Sequence, residues 1–189
     1  MMQITKKALA KSLKKQMQTK PLAKITVNDI VRECGLNRRT LYYYFNDIYD
    51  LLEWIFKTEL KEVLGENKTY SSWQKGFLEI FKYLHENKKM VLNTYNSIDR
   101  DILENHLYNE SFNIILEVVN ELAKELKVSD KDKRYVTNFY KIALVGIIID
   151  WIKNNMIEDI EEIVNNLDKI ISGEIYRALL KYDKLKVCK

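Results

Sequence analysis

Only one proline and five glycines interrupt this chain of 189 residues, so it has few places at which a helix is forced to end. Its apolar side chains recur three and four residues apart, which is helical spacing, and not at every second position as in strands. The sequence therefore predicts an all-α fold. The longer helices are expected at residues 4–19, 47–65, 71–87, 88–96, 100–127, 131–154 and 159–182, with Ile4, Leu9, Leu13 and Met17 of the first one facing inward.

Residues 26–45 read as two short helices joined at Gly35. Thr26 and Asn37 are N-cap candidates, because each precedes a helical pattern and can accept a hydrogen bond from an orphan backbone N–H. Gly35 adopts a positive φ at little steric cost, which ends the first helix and redirects the chain. The first helix shares one apolar face among Val27, Ile30, Val31 and Cys34. This pattern is typical of a helix-turn-helix.

The second short helix separates into an apolar face and a face of arginines and tyrosines when residues are placed 100° apart. The apolar face contains Leu41, Tyr44, Phe45 and Ile48, and the other contains Arg38, Arg39, Tyr42 and Tyr43, with Thr40 at its edge. Arginine binds guanine edges or phosphate, and a tyrosine hydroxyl donates to phosphate. The alternative is that the arginines are ordinary solvated charges and the tyrosines cover a neighbouring helix. We favour a surface that faces nucleic acid, because adjacent exposed tyrosines are hard to explain without a partner.

The charge of the chain is distributed unevenly. Residues 1–45 contain ten Lys or Arg and two acids, a net charge of +8, so the remainder carries −4 of the total of +4. A basic lobe on a mildly acidic body is the electrostatic pattern of a DNA-binding head, although chance clustering in a lysine-rich chain is the alternative.

These residues resemble the DNA-binding domain of the TetR/AcrR family of bacterial transcriptional regulators. The similarity is carried by Ile25-Thr26-Val27, Asp29-Ile30, Gly35-Leu36, Arg39-Thr40-Leu41-Tyr42, Tyr44-Phe45 and Leu51-Leu52. It implies a three-helix DNA-binding domain at residues 1–46 whose third helix enters the major groove. It also implies a helical domain at 47–189 for dimerisation and signal binding. Lys24, Thr26 and Asn28 are the phosphate candidates. Ile48 departs from the family, where many members have a phosphate-binding lysine, although Asp47 can still cap the fourth helix.

The last two expected helices predict a homodimer. The helix at 159–182 has an unbroken apolar stripe, and residues 139–152 are apolar nearly all the way round, so both sides need a cover. A second subunit is the natural cover, and Gly146 and Gly173 either allow two backbones to approach closely or are neutral positions. Residues 139–167 further resemble the C-terminal domain of a Gram-positive subgroup, the DhaS-like regulators. Some of its members answer to a protein partner, so the signal is either a small molecule or a protein co-regulator.

Aromatic side chains in the middle of the chain either line a ligand cavity or form plain core: Trp54, Phe77, Phe81, Tyr83, Tyr95, Phe112 and Trp151. The polar handles of such a cavity would include His85, Tyr95 or Asn138. Catalysis, a cofactor and a metal are not expected, because His85 and His106 lack the spacing of metal ligands and no phosphate-binding loop is present. Cys34 and Cys188 form no disulfide or zinc pattern.

We expect a cytoplasmic protein without a signal peptide or membrane span, because the longest apolar run, residues 142–149, stops at Asp150. The leading hypothesis is a homodimeric regulator that binds double-stranded DNA at a palindromic operator. The alternatives are a helical ligand-binding or scaffold protein that no longer binds DNA, which Ile48 would favour, and a basic first helix that lies on anionic membrane.

Overall fold

The computed structural model describes residues 2–65, 72–97 and 100–183, and every regular element in these ranges is helical. The all-α prediction is confirmed. A short 3-10 helix, Leu22–Lys24, lies between the first two α-helices. The α-helices are α1 (Met2–Gln16), α2 (Val27–Glu33), α3 (Arg38–Tyr44), α4 (Ile48–Leu64), α5 (Trp73–Glu86), α6 (Lys88–Tyr95), α7 (Arg100–Leu122), α8 (Asp130–Lys153), α9 (Ile160–Ile171) and α10 (Glu174–Leu180).

Two of the long helices differ from the prediction. The prediction of a single helix at 159–182 is wrong. The helix is interrupted between α9 and α10, where Gly173 adopts a left-handed φ of 79°. A positive φ favours glycine, so Gly173 allows the turn between these two helices. The helix expected at 100–127 ends at Leu122, after which Leu126 donates to the Ala123 carbonyl three residues back. Cys188 lies outside the described residues.

Contacts divide the chain into two compact units. The first contains the chain up to Glu59 together with Asn87–His106, and the second contains Leu60–Glu86 and Leu107–Lys189. Helix α6 therefore belongs to the unit that contains the helix-turn-helix, although the sequence-based division at residue 46 assigns it to the regulatory part. The division at residue 46 into a DNA-binding and a regulatory domain remains a prediction.

The core of the first unit is built on α1. Leu9, Leu13 and Met17 are buried as predicted, whereas Ile4 is 73% exposed and the inward orientation expected for it is wrong. Helix α1 packs against α2, where the Ser12 hydroxyl donates to the Ile30 carbonyl at 2.8 Å. This buried hydrogen bond joins the supporting helix to the first helix of the helix-turn-helix.

The second unit is organised around α8, which contacts α10, and around α5, which packs on α9. Among the described residues, α8 is also the one helix that is long and apolar enough to cross a membrane, and 39% of its most apolar stretch is buried in the structure. Core helices of globular proteins often have the same composition. Trp151 of α8 is buried and packs edge-on against Phe81, so one face of α8 belongs to the core of this unit.

Candidate DNA-binding surface

The turn of the helix-turn-helix is closed by hydrogen bonds from the backbone N–H groups of Gly35 and Leu36. Gly35 has a φ of 65°, as predicted, and its N–H donates to the Arg32 carbonyl. The Leu36 N–H donates to the Val31 carbonyl at 2.9 Å. This pair of bonds is the Schellman arrangement, which satisfies the last carbonyls of α2 and sets the direction in which the chain leaves it.

A capping box begins α2, so the predicted N-cap at Thr26 is confirmed. The Thr26 hydroxyl accepts from the Asp29 N–H at 3.2 Å, and the Thr26 N–H donates to the Asp29 carboxylate at 2.9 Å. The bonds from the Thr26 backbone and hydroxyl, followed by the hydrogen bond from Lys20, lower the pKa of Asp29. The carboxylate is therefore ionised at neutral pH and completes the cap.

Asn37 caps α3, as predicted, and holds the recognition helix in place from its first turn. Its Oδ1 accepts from the Thr40 N–H at 2.9 Å and from the Thr40 hydroxyl at 3.1 Å. Further along the helix, Leu41 and Phe45 are buried in the first unit. Since the apolar side of α3 is anchored in this way, its opposite side must face solvent.

The exposed side of α3 presents the predicted cluster of arginines and tyrosines. Arg38 and Arg39 are exposed, Tyr42 is 49% exposed and Tyr43 is 78% exposed. The Arg38 guanidinium lies over the Tyr42 ring, 5.9 Å from its centroid, and its Nη2 lies 3.5 Å from the Tyr42 hydroxyl. Exposed tyrosines do not cover a neighbouring helix in the part of the chain that the structure describes. Arg38 and Tyr42 are held together by a cation–π contact.

The three phosphate candidates are all exposed and lie between the 3-10 helix and the first turn of α2. Lys24 ends the 3-10 helix, and Asn28 lies in the first turn of α2. Thr26 differs from these two, because its hydroxyl also donates to the Asp29 carboxylate at 2.9 Å. Any phosphate contact by Thr26 would have to share a hydroxyl that the capping box already uses.

Lys6 of α1 is a residue that the sequence did not single out. Its ammonium lies 5.8 Å from the Tyr44 ring centroid, 5.2 Å from that of Phe45 and 5.8 Å from that of Trp54. These rings come from the end of α3 and from α4, so the lysine ties α1 to the C-terminal end of the recognition helix. No local sequence pattern predicts this contact, because the three rings lie about 40 residues or more further along the chain than Lys6.

Asp47 caps α4, as predicted. Its carboxylate accepts from the Asp50 N–H at 2.8 Å, while the Asp50 carboxylate accepts from the Asn46 N–H at 2.9 Å. Ile48, the expected departure from the family pattern, is half-buried at the start of this helix. The capped terminus is therefore intact although the lysine is missing.

The second unit contains a small apolar cavity. It is lined by Trp73, Phe77, Ile114, Ile115, Val118, Leu144, Ile171 and Ile175. The cavity has a volume of about 20 Å³, which is room for about one water molecule. None of the expected polar handles lines it: His85 and Asn138 are exposed, and Tyr95 belongs to the first unit.

The folded chain is thus a helix-turn-helix protein with an exposed, arginine-bearing second helix. It belongs to the TetR family of bacterial regulatory proteins. The N-terminal model of that family matches residues 11–55, and a model described as a transcriptional regulator C-terminal region matches residues 71–173. The protein is accordingly a DNA-binding transcriptional regulator and not an enzyme.

Similar proteins agree with this assignment over nearly the whole chain. The HTH-type dhaKLM operon transcriptional activator DhaS of Lactococcus lactis subsp. lactis is 29% identical over 167 residues, which are 87% of this chain and 88% of DhaS. The structure of a dihydroxyacetone kinase operon activator DhaS aligns with a TM-score of 0.73 and 24% identity, and covers 96% of this chain and 99% of its own. The structure of NalD, the secondary repressor of the MexAB-OprM multidrug efflux pump in Pseudomonas aeruginosa, aligns with a TM-score of 0.59 and 15% identity, and covers 95% of this chain and 98% of its own. At these identities the two structures show the shared fold.

Proposed function

We propose that the protein is a cytoplasmic homodimer that binds a roughly palindromic operator with one α3 in each half-site. Arg38, Arg39, Tyr42 and Tyr43 would contact base edges and phosphates in the major groove, with Thr40 at the edge of the contact. The observation that carries this proposal is the exposure of these arginines and tyrosines together on a helix capped and anchored from the opposite side. A planar guanidinium in such a position can bind guanine O6 and N7 together.

Lys24, Thr26 and Asn28 would contact the phosphate backbone beside the groove. Their exposure at the start of α2 supports this, and so does the net charge of +8 over residues 1–45. Phosphate contacts fix the register of the protein on the duplex and make its affinity depend on salt.

Dimerisation would use the exposed face of α8 together with α9 and α10. Tyr135, Phe139 and Ile142 of α8 follow one another at helical spacing and are 68%, 65% and 58% exposed. Gly146 continues this face, and a Cβ there would meet nothing within 4 Å in the single chain. Ile170 of α9 is 69% exposed. Apolar surface of this extent is favourable only when a partner removes it from water. Two-fold symmetry would then place the half-sites about one helical turn of DNA apart.

Regulation would come from a small molecule or a protein co-regulator that prefers one arrangement of the dimer. The described apolar cavity of the second unit, at about 20 Å³, is too small for drug-sized ligands, which occupy about 300 Å³ or more. A small molecule would have to displace side chains that line the cavity. The name of DhaS, an operon activator, makes activation the first mode of regulation to test.

The proposal is tested by a gel shift of the purified full-length protein on the DNA that flanks its own gene, beside a random duplex of the same length. We expect a specific complex of one dimer per site that weakens steeply with salt, and light scattering should give twice the mass of one chain. Equal binding to both duplexes, or a monomer at micromolar concentration, would contradict the proposal.

A further inference from the structure

Pro21 interrupts the backbone hydrogen bonds where α1 passes into the 3-10 helix. A helical chain would satisfy the Met17 carbonyl with the N–H of residue 21, four positions on, but a proline has no N–H. The Lys20 carbonyl and the Leu22 N–H lie on either side of the same break. The Met17 carbonyl and the Leu22 N–H need partners from elsewhere, because these two residues are both only 2% exposed.

One side chain from a distant helix satisfies all three groups. The Asn93 Oδ1 of α6 accepts from the Leu22 N–H at 2.8 Å. The Asn93 Nδ2 donates to the Met17 carbonyl at 3.2 Å and to the Lys20 carbonyl at 2.7 Å. A carboxamide is suited to this break, because it offers an acceptor and two N–H donors on one small group.

The segment that Asn93 holds leads directly into the proposed phosphate contacts. Lys24 ends the 3-10 helix two residues after Leu22. On the other side of Pro21, the Lys20 ammonium lies 3.3 Å from the Asp29 carboxylate, which completes the capping box with Thr26. The hydrogen bonds of Asn93 therefore make the positions of Lys24 and of the first turn of α2 depend on the position of α6.

We propose that Asn93 is a positioning residue for DNA binding, which acts from α6 by fixing the backbone that presents Lys24 and Thr26 to phosphate. This inference rests on the proposed phosphate contacts. It assigns to α6 a part in the DNA-binding surface that the family resemblance of residues 1–46 does not include.

The experiment compares Asn93→Ala with Asn96→Ala in the full-length protein. Asn96 is a matched control, since it is an exposed asparagine at the end of the same helix. Affinity for the operator and for a random duplex is measured over a series of salt concentrations. We expect Asn93→Ala to weaken binding to both duplexes about tenfold at 0.1 M salt and to lower the slope of log K against log salt by about one contact. Asn96→Ala should leave both quantities unchanged.

A double-mutant cycle with Lys24→Ala distinguishes positioning from a general loss of stability. If Asn93 acts by placing Lys24, the loss caused by Asn93→Ala should be much smaller when Lys24 is already alanine. Additive losses, or weaker binding with an unchanged salt slope, would overturn the proposal. Asn93→Asp keeps the acceptor for the Leu22 N–H but loses both donors, and it should show the same non-additivity with Lys24→Ala.

Amide exchange tests the contact itself without DNA. The Leu22 N–H should exchange slowly in the wild type and in Asn96→Ala, and quickly in Asn93→Ala while the amides of α4 keep their protection. A Leu22 N–H that already exchanges freely in the wild type would overturn the inference, even if no Asn93 variant folds. If the wild type fails to bind its own promoter, the proposed function fails. If the wild type and Asn93→Ala bind equally well, this inference alone fails.

Discussion

The exposed faces of α3 and α8 both present large side chains to solvent, but their chemistry differs. On α3, Tyr43 is 78% exposed and stands beside two arginines. On α8, Phe139 and Ile142 are 65% and 58% exposed, and the glycine at 146 continues their face. We infer a partner for each of these contiguous faces, and the neighbouring groups indicate which kind. Guanidinium and phenol groups suit phosphate and base edges, whereas aliphatic and phenyl groups gain free energy only when water is removed.

The largest effect should follow from a charge on the α8 face. We expect Ile142→Asp to abolish the dimer, because a buried unpaired carboxylate would oppose its symmetric copy. A monomer binds one half-site without the gain of a linked second head, so operator affinity should fall about a hundredfold or more. Light scattering and a gel shift measure the two losses.

Ile157→Asp is the matched control for this variant. Ile157 is 80% exposed and lies in the loop between α8 and α9, outside the helices to which the interface is assigned. It should remain dimeric and bind the operator normally. If both variants dissociate, or if neither does, the result would contradict the assignment of the dimer interface to the α8 face.

The next effect concerns the division of roles within the DNA-binding surface. Arg39→Ala should reduce operator affinity by about 1–3 kcal/mol with little change on random DNA, because a base contact carries sequence preference. Lys24→Ala should weaken both duplexes alike and lower the salt slope by about one. Fluorescence anisotropy on the two duplexes measures both. Equal losses on operator and random DNA for Arg39→Ala would remove its role as a base reader.

A smaller effect is expected at Lys6, whose ammonium contacts the aromatic rings at the C-terminal end of α3. Lys6→Met keeps most of the aliphatic stem but removes the ammonium from among Tyr44, Phe45 and Trp54, at a cost of about 0.5–1 kcal/mol in unfolding free energy. Lys11→Met, on the exposed side of the same helix, is the control and should be neutral. Urea unfolding compares them, and equal midpoints for the two variants would show that the aromatic contacts contribute nothing.

The smallest effect is a pH dependence at the cap of α2. The pKa of Asp29 is lowered in the folded protein, so its contribution to stability is present above the usual value of 3.8 and is lost as the pH falls through the lowered value. Asp29→Asn should therefore melt below the wild type at pH 6, and the two melting temperatures should converge in stronger acid. A difference that stays constant with pH would contradict the assignment.

Local features of the DNA-binding surface were predictable, because their causes lie within a few residues. The caps at Thr26 and Asn37 and the positive φ at Gly35 follow from hydrogen bonds and sterics inside one turn of chain. The outward direction of Arg38 and Tyr43 follows from helical periodicity.

The features that sequence analysis missed depend on distant or competing interactions. The contact of Asn93 spans 71 residues to Leu22 and has no local pattern. The apolar stripe continues past Gly173 and therefore predicts a helical residue there, yet its left-handed φ breaks the helix. Periodicity reports which face is apolar, but it does not report whether the backbone between two apolar turns stays helical.

The closed turn at Gly35 limits how this protein can change its DNA target over evolutionary time. Hydrogen bonds from Gly35 and Leu36 bind the turn to the end of α2, so the angle at which α3 is presented resists adjustment. A new operator preference would have to arise by exchanging outward side chains on an unchanged frame. Changes that reshape the turn would instead destabilise the helix-turn-helix, so that it could not bind a new DNA sequence.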